Sequence, residues 1–162
     1  MLSRIIHRSF SVASTAVRRI DVHQSNRFAG ATVHNGVVYL TGQVPAEGHM
    51  DSAVTQTKSV LAGIDDLLKK AGTDKSRLLK ATCLLTHIDE DFAAMNAEWV
   101  KWLPAGAAPA RTTIASVRLA DPRWRIEIEI IAAMPEQSVV ARKSWREEED
   151  GLSMIDRAKH GF

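Results

Sequence analysis

A single cysteine, Cys83, rules out an intrachain disulfide and a thiolate metal site, so nothing in the chain asks for an oxidising compartment. Its neighbours in AlaThrCysLeuLeu are those of a buried strand, which makes the thiol structural. No apolar stretch approaches the roughly 20 residues that a membrane-spanning helix needs; the run from Ile126 to Met134 is broken by Glu127 and Glu129. The histidines at 7, 23, 34, 49, 87 and 160 form no i, i+4 pair, no HExxH and no Cys/His cluster, so metal-site spacing is missing. There is no GxGxxG, P-loop or GxSxG element, and hence no signal for dinucleotide, nucleoside triphosphate or serine-hydrolase chemistry. Internal repeats and low-complexity blocks are also missing.

Acidic residues are absent from the first twenty positions, which contain Arg4, Arg8, Arg18 and Arg19. Beyond them 17 Lys and Arg face 19 Asp and Glu, so the overall charge of +2 becomes −2 for the rest of the chain. Such a body lacks the basic footprint of a nucleic-acid binder. The Arg- and Ser-rich start has transit-peptide composition, with Leu2, Ile5, Ile6 and Ser9 along one helical face, and Arg8-Ser9-Phe10-Ser11 resembles a matrix-processing site that would cut after Phe10. The expected organisation is a mitochondrial leader over 1–17, one domain over 18–135 and a charged extension over 136–162, with a short helix through Trp145 to Glu149.

Patterning predicts the elements of that domain. Asn35-Gly36 is a two-residue turn signal between two short strands spanning Ala31 to Thr41. After a Gly- and Pro-bearing loop, Asp51 is expected to cap a helix with Val54, Leu61, Ile64, Leu68 and Ala71 inward, ended by Gly72. Leu79 to Thr86 reads as a strand. A second helix opens at Asp89 or Asp91 with Phe92, Met95, Trp99 and Leu103 on one face, and Pro104 and Gly106 stop it. Two more strands follow, Arg111 to Val117 and Arg125 to Ala132. The order strand, strand, helix, strand, helix, strand, strand implies an α+β sandwich with both helices on one sheet. In the last strand Ile126, Ile128 and Ile130 point one way and Glu127 and Glu129 the other, so helices should cover the isoleucine face and leave a carboxylate face for solvent or a partner subunit.

Residues that could carry chemistry are few. Arg111 follows a proline into a strand, and Glu127 is expected on the polar face of the neighbouring strand, together with Glu129 and Thr113. Taken alone, such an arginine is more often solvated or salt-bridged than a ligand clamp, and such glutamates are more often the wet face of a strand. Asn96 on the second helix and Thr41 at a strand end read as an ordinary surface amide and an ordinary strand residue.

In their order, five segments change that balance: VYLTGQVP at 38–45, GIDDLLKKAGTDKSRLLKAT at 63–82, DFAAMNAEW at 91–99, PARTT at 109–113 and RIEIEIIAA at 125–133. Together they resemble the Rid family of reactive-intermediate deaminases, also called YjgF-type, from about Arg18 to Met134. The resemblance implies a chorismate-mutase-like α+β subunit in a homotrimer whose sheets face inward as a barrel, with three sites in clefts between subunits. It further implies hydrolysis of 2-imino acids such as 2-aminoacrylate and 2-iminobutanoate to 2-keto acids and ammonia, without a cofactor. Arg111 would bind the substrate carboxylate and Glu127 would position the attacking water, with Thr41, Gly42 and Asn96 completing the pocket. Three positions depart from the family pattern: Phe28 where many members have tyrosine, Thr113 in place of a frequent cysteine, and Thr41 for the commoner serine. Substrate preference is expected to shift with them. The rival readings are a trimer that binds keto acids or amino acids without turnover, and the RNA cleavage attributed to some relatives.

Overall fold

A computed structural model describes residues 16–136. The leader to residue 15, the processing position after Phe10 and the expected helix through Trp145 to Glu149 lie outside the described residues. One six-stranded sheet carries two helices. In chain order the elements are β1 (Arg18–Val22), β2 (Ala29–His34), β3 (Val37–Leu40), α1 (Ala53–Ala71), a 3-10 turn (Lys75–Arg77), β4 (Leu78–Leu85), α2 (Ile88–Trp102), β5 (Ala110–Ala115) and β6 (Ile126–Ala133). No described helix is long and apolar enough to cross a membrane.

The hairpin forms where the turn signal lies: Asn35 and Gly36 both take left-handed φ, 50° and 77°, the pair that a tight two-residue turn requires, and His34 faces Val37 across it. Strand β1 is an addition to the expected set. Its sequence RRIDV turns only Ile20 inward, so it offers almost no alternation to read, and pairing with β2 defines it.

The sheet order is β1-β2-β3-β6-β4-β5, with β4 and β5 parallel and all other pairs antiparallel. This corrects one expectation. β6 is not the neighbour of β5; it inserts between β3 and β4, leaving β5 as an edge strand. The side chains fit that order, because Ile126, Ile128, Ile130 and Ala132 are wholly buried, as a central strand permits, whereas the β5 sequence ARTTIA has no fully buried residue. Only α2 makes a crossover between adjacent parallel strands; the α1 connection brackets β6.

Both helices pack on the face that carries Ala81, Cys83, Leu85 and the three isoleucines, matching the expected coverage. α1 begins one residue later than expected: Ser52, not Asp51, accepts the Thr55 amide at 3.1 Å, and Gly72 ends the helix at φ 90° with its N–H on the carbonyls of Leu68 and Lys69. The inward stripe shifts too. Val54 is exposed, and Gln56 and Thr57 are fully buried in its stead. Thr57 donates to the Ala53 carbonyl at 2.6 Å. The Gln56 amide donates to the carbonyls of Met50 and Arg123 and accepts the Arg125 N–H at 2.8 Å, so one side chain fastens two loops to the start of β6.

α2 buries Met95 and Trp99, whereas Phe92 is left exposed and Leu103 becomes the half-buried cap. His87 precedes it without a side-chain cap bond, and Asp89, Glu90 and Asp91 occupy a first turn where negative charge suits the helix dipole. Arg125, just ahead of β6, grips buried Asp91 through two hydrogen bonds of 2.8 and 2.7 Å and reaches Glu90 at 2.8 Å. That pair locks the start of α2 to the central strand.

Candidate functional site

Two groups of side chains stand out, one on each side of the sheet. Arg111 pairs in register with Ala81 of β4, whose side chain is buried under the helices, so Arg111 projects toward α2. There its Nη2 donates to Asn96 Oδ1 at 2.7 Å, and its guanidinium carbon lies 5.4 Å from the centre of the Trp99 ring. Asn96 and Trp99 are three residues apart on α2, the spacing that presents both to one strand. Among the described residues no carboxylate pairs with Arg111, whereas Arg123 and Arg125 each engage two. Among the described residues, Arg111 is thus a half-buried, anchored cation with most of its donors uncommitted.

Beneath this cation lie Thr113 and Cys83, paired across β4 and β5. The Thr113 hydroxyl is buried with no conventional hydrogen-bond partner among the described residues, and the Cys83 sulfur, a weak acceptor, is the group it leans on. Burial pushes the Cys83 thiol up, against the opposing pull of Arg111 and Thr113. A protonated, wholly buried thiol is a structural residue, as the sequence suggests.

The second group is on the open face. Glu127 and Glu129 face Leu84 and Thr82 across β4. On its other side Glu127 meets Gly42 so closely that a methyl group there would lie 1.9 Å from Oε1 and 2.8 Å from Cδ. The approach exists because the β3–β6 ladder slips: Tyr39 faces Ile131, yet Gln43 faces Ile128, so three residues on one side span two on the other. The bulge is pinned by paired Gln43–Ile128 backbone bonds of 2.8 and 3.0 Å, by the Thr41 amide on the Gly30 carbonyl at 3.0 Å and by the Gln43 side chain on the Thr41 carbonyl at 3.0 Å. Burial raises the Glu127 carboxyl above its ordinary value, and the like charge of Glu129 adds to the shift.

Of the sequence-predicted residues, Arg111 and Asn96 come together, and so do Glu127, Gly42 and the Thr41 backbone, but the two groups do not meet within one protomer. Arg111 aligns with Ala81 and Ile130, so Glu127 is two strands over, three residues along and on the opposite face. Thr113 belongs with Arg111, which corrects its expected place beside the glutamates: a strand turns residues 111 and 113 the same way. Phe28 sits in the β1–β2 connection, half exposed with its ring 4.8 Å from that of His23, and β2 is four strands from β5 in the sheet. Trp99 reads from sequence as helix core alone; its i, i+3 relation to Asn96 is the signal that, once β5 is placed beneath α2, marks it as a neighbour of the arginine.

Comparison with known proteins agrees with this architecture. A family model described as Endoribonuclease L-PSP matches residues 20–134. A RutC family protein of Haemophilus ducreyi is 44% identical, over 75% of this chain and 99% of the relative. The RutC family protein YoaB of Escherichia coli is 42% identical, over 72% of this chain and 96% of its own. Among solved structures, a YjgF family member from Neisseria meningitidis superposes with a TM-score of 0.70 at 38% identity, covering 75% of this chain and 98% of that one. From residue 20 to residue 134, this chain belongs to the YjgF/RutC, or Rid, family.

Proposed function

We propose that the protein hydrolyses 2-imino acids of the 2-aminoacrylate and 2-iminobutanoate type to 2-keto acids and ammonia, in a homotrimer whose sites lie between subunits. The observation that carries the reading is Arg111: a half-buried guanidinium, fixed by Asn96 and without a carboxylate partner among the described residues, is arranged to accept an anion. Its location at the sheet edge, with Glu127 on an uncovered face, favours a site in which the edge of one protomer meets the open face of the next. Closed threefold symmetry would then give three equivalent sites.

The chemistry suits these groups. With the substrate carboxylate on Arg111, Glu127 takes a proton from water as its oxygen bonds to C2, and passes that proton to the imine nitrogen. The resulting carbinolamine loses its hydroxyl proton to the amine by the same carboxylate, the C–N bond breaks, and keto acid and ammonia leave. A carboxyl whose hold on a proton is raised by burial is better matched to carrying that proton both ways than an ordinary one. Positioning contributes the rest for a reaction that already proceeds in water.

Ammonia release from enzymatically generated 2-aminoacrylate is the direct test. Arg111→Ala should lose roughly 10- to 150-fold in substrate binding, the worth of a charge-assisted contact, and Arg111→Lys should rescue poorly because it lacks the planar fork. Neither change opens a core cavity, since Arg111 is on an edge strand. Wild-type clearance by Arg111→Ala would sink the assignment. Keto-acid affinity without ammonia release would favour the binding-only trimer. The endoribonuclease description of the family model is the weaker reading here, because the open face presents two carboxylates and the body lacks a basic run. We also propose mitochondrial matrix targeting from the acid-free leader; a reporter carrying residues 1–24 that stays cytosolic would refute it. A monomer mass in light scattering at micromolar concentration would refute the trimer.

A further inference from the structure

We infer that Trp99 is a positioning residue for Arg111: its ring and the Asn96 amide together set the plane in which the guanidinium offers its free N–H groups to a carboxylate. The inference rests on the proposed reading of Arg111 as the clamp. The two contacts restrain different motions. Asn96 Oδ1, 2.7 Å from Nη2, fixes rotation within the guanidinium plane, while the Trp99 face, 5.4 Å from the guanidinium carbon, limits tilting. The indole itself is held. Trp99 is buried and packs on Trp102 with ring centres 5.3 Å apart. Trp102 in turn donates Nε1–H to Asp65 of α1 at 2.9 Å, beneath the Lys75 ammonium at 5.1 Å.

The choice of groups has a chemical reason. An acidic residue beside Arg111 would steady the cation too, but it would occupy the fork that a substrate carboxylate needs. A π face and an amide oxygen supply negative potential without a competing charge. A role confined to the core would ask only for apolar volume at position 99, and it would not call for a ring within 5.4 Å of a guanidinium carbon.

The test uses 2-oxobutanoate as the probe on the full chain, with calorimetric Kd, ammonia-release kinetics, thermal unfolding and tryptophan fluorescence. Trp99→Leu is expected to raise Kd and KM about 3- to 30-fold, the range of a cation–π contact, with kcat changed less than threefold. Trp99→Phe, which keeps a smaller ring, should recover part of the affinity. Titration with the keto acid should alter the fluorescence of the wild type and of Trp102→Phe but not of Trp99→Phe. A folded Trp99→Leu with wild-type Kd overturns the inference; if that variant does not fold, wild-type affinity in Trp99→Phe with an unaltered fluorescence response overturns it instead. A wild type that binds the probe yet releases no ammonia refutes the deaminase reading, and the same Kd series still decides Trp99. A wild type that does not bind the probe overturns both.

Discussion

Gly42→Ala is the most revealing single change, because it displaces Glu127 without touching Arg111. The added methyl would lie 1.9 Å from Glu127 Oε1, 2.8 Å from Cδ and 3.1 Å from Cγ. Swinging the carboxylate about its last bond does not clear Cδ and Cγ, so χ1 or χ2 has to move and carry the charge more than 1 Å. Glu127 is a flexible side chain on the open face and has room to move, so the cost of a displaced rotamer, roughly 0.5–1.5 kcal/mol, sets the expected loss. In a domain of this size that corresponds to a fall in Tm of about 1 to 6 °C. Turnover should suffer more, about 10- to 100-fold, since a misplacement of that size spoils alignment of the attacking water. Thermal unfolding by circular dichroism and ammonia release read the two effects separately. The control is Glu127→Ala, which removes the atoms in the way: in that background Gly42→Ala should change stability by less than about 0.5 kcal/mol. An equal penalty in both backgrounds, or Gly42→Ala turning over at the wild-type rate, would refute the argument.

Three further outcomes follow from the same contacts. Glu127→Gln should stabilise the fold at neutral pH, because a carboxyl whose folded pKa is raised favours folding in its protonated form; the advantage of the variant is lost as pH falls below the unfolded pKa, and unfolding midpoints at pH 4 and pH 7 check the sign. Where Glu127 acts as the base, wild-type turnover should rise with pH through that elevated pKa, and Glu127→Gln should flatten the limb. Asp91→Ala removes two hydrogen bonds from a carboxylate whose side chain is 4% exposed but leaves Arg125, 30% exposed, its contact with Glu90, so about 1–2 kcal/mol should be lost in urea unfolding; an effect under about 0.5 kcal/mol would mean that Glu90 and solvent already compensate the cation.

Much of this protein is legible in its sequence. Asn35-Gly36 demands a hairpin, because its left-handed backbone suits Asn and Gly and matches strand twist. Gly72 ends α1, and the alternation of Ile126, Ile128 and Ile130 with Glu127 and Glu129 defines a buried and an open face, all from local stereochemistry and period. The order of five short segments identified the family, and the residues of the candidate site came with it. Local pattern does not determine which strands become neighbours. β5 and β6 are consecutive in the chain and separated in the sheet by β4, and β1 has too little alternation to announce itself. Helix phase was also underdetermined: a stripe read as Val54, Leu61, Ile64 tolerates a shift that buries Gln56 and exposes Val54, since a polar side chain is welcome inside once three hydrogen bonds satisfy it. The separation of Arg111 from Glu127 is a consequence of that tertiary arrangement alone. Each residue's alternation is local, but the face on which it ends depends on register and on which side the helices pack, and these are decided when distant strands pair.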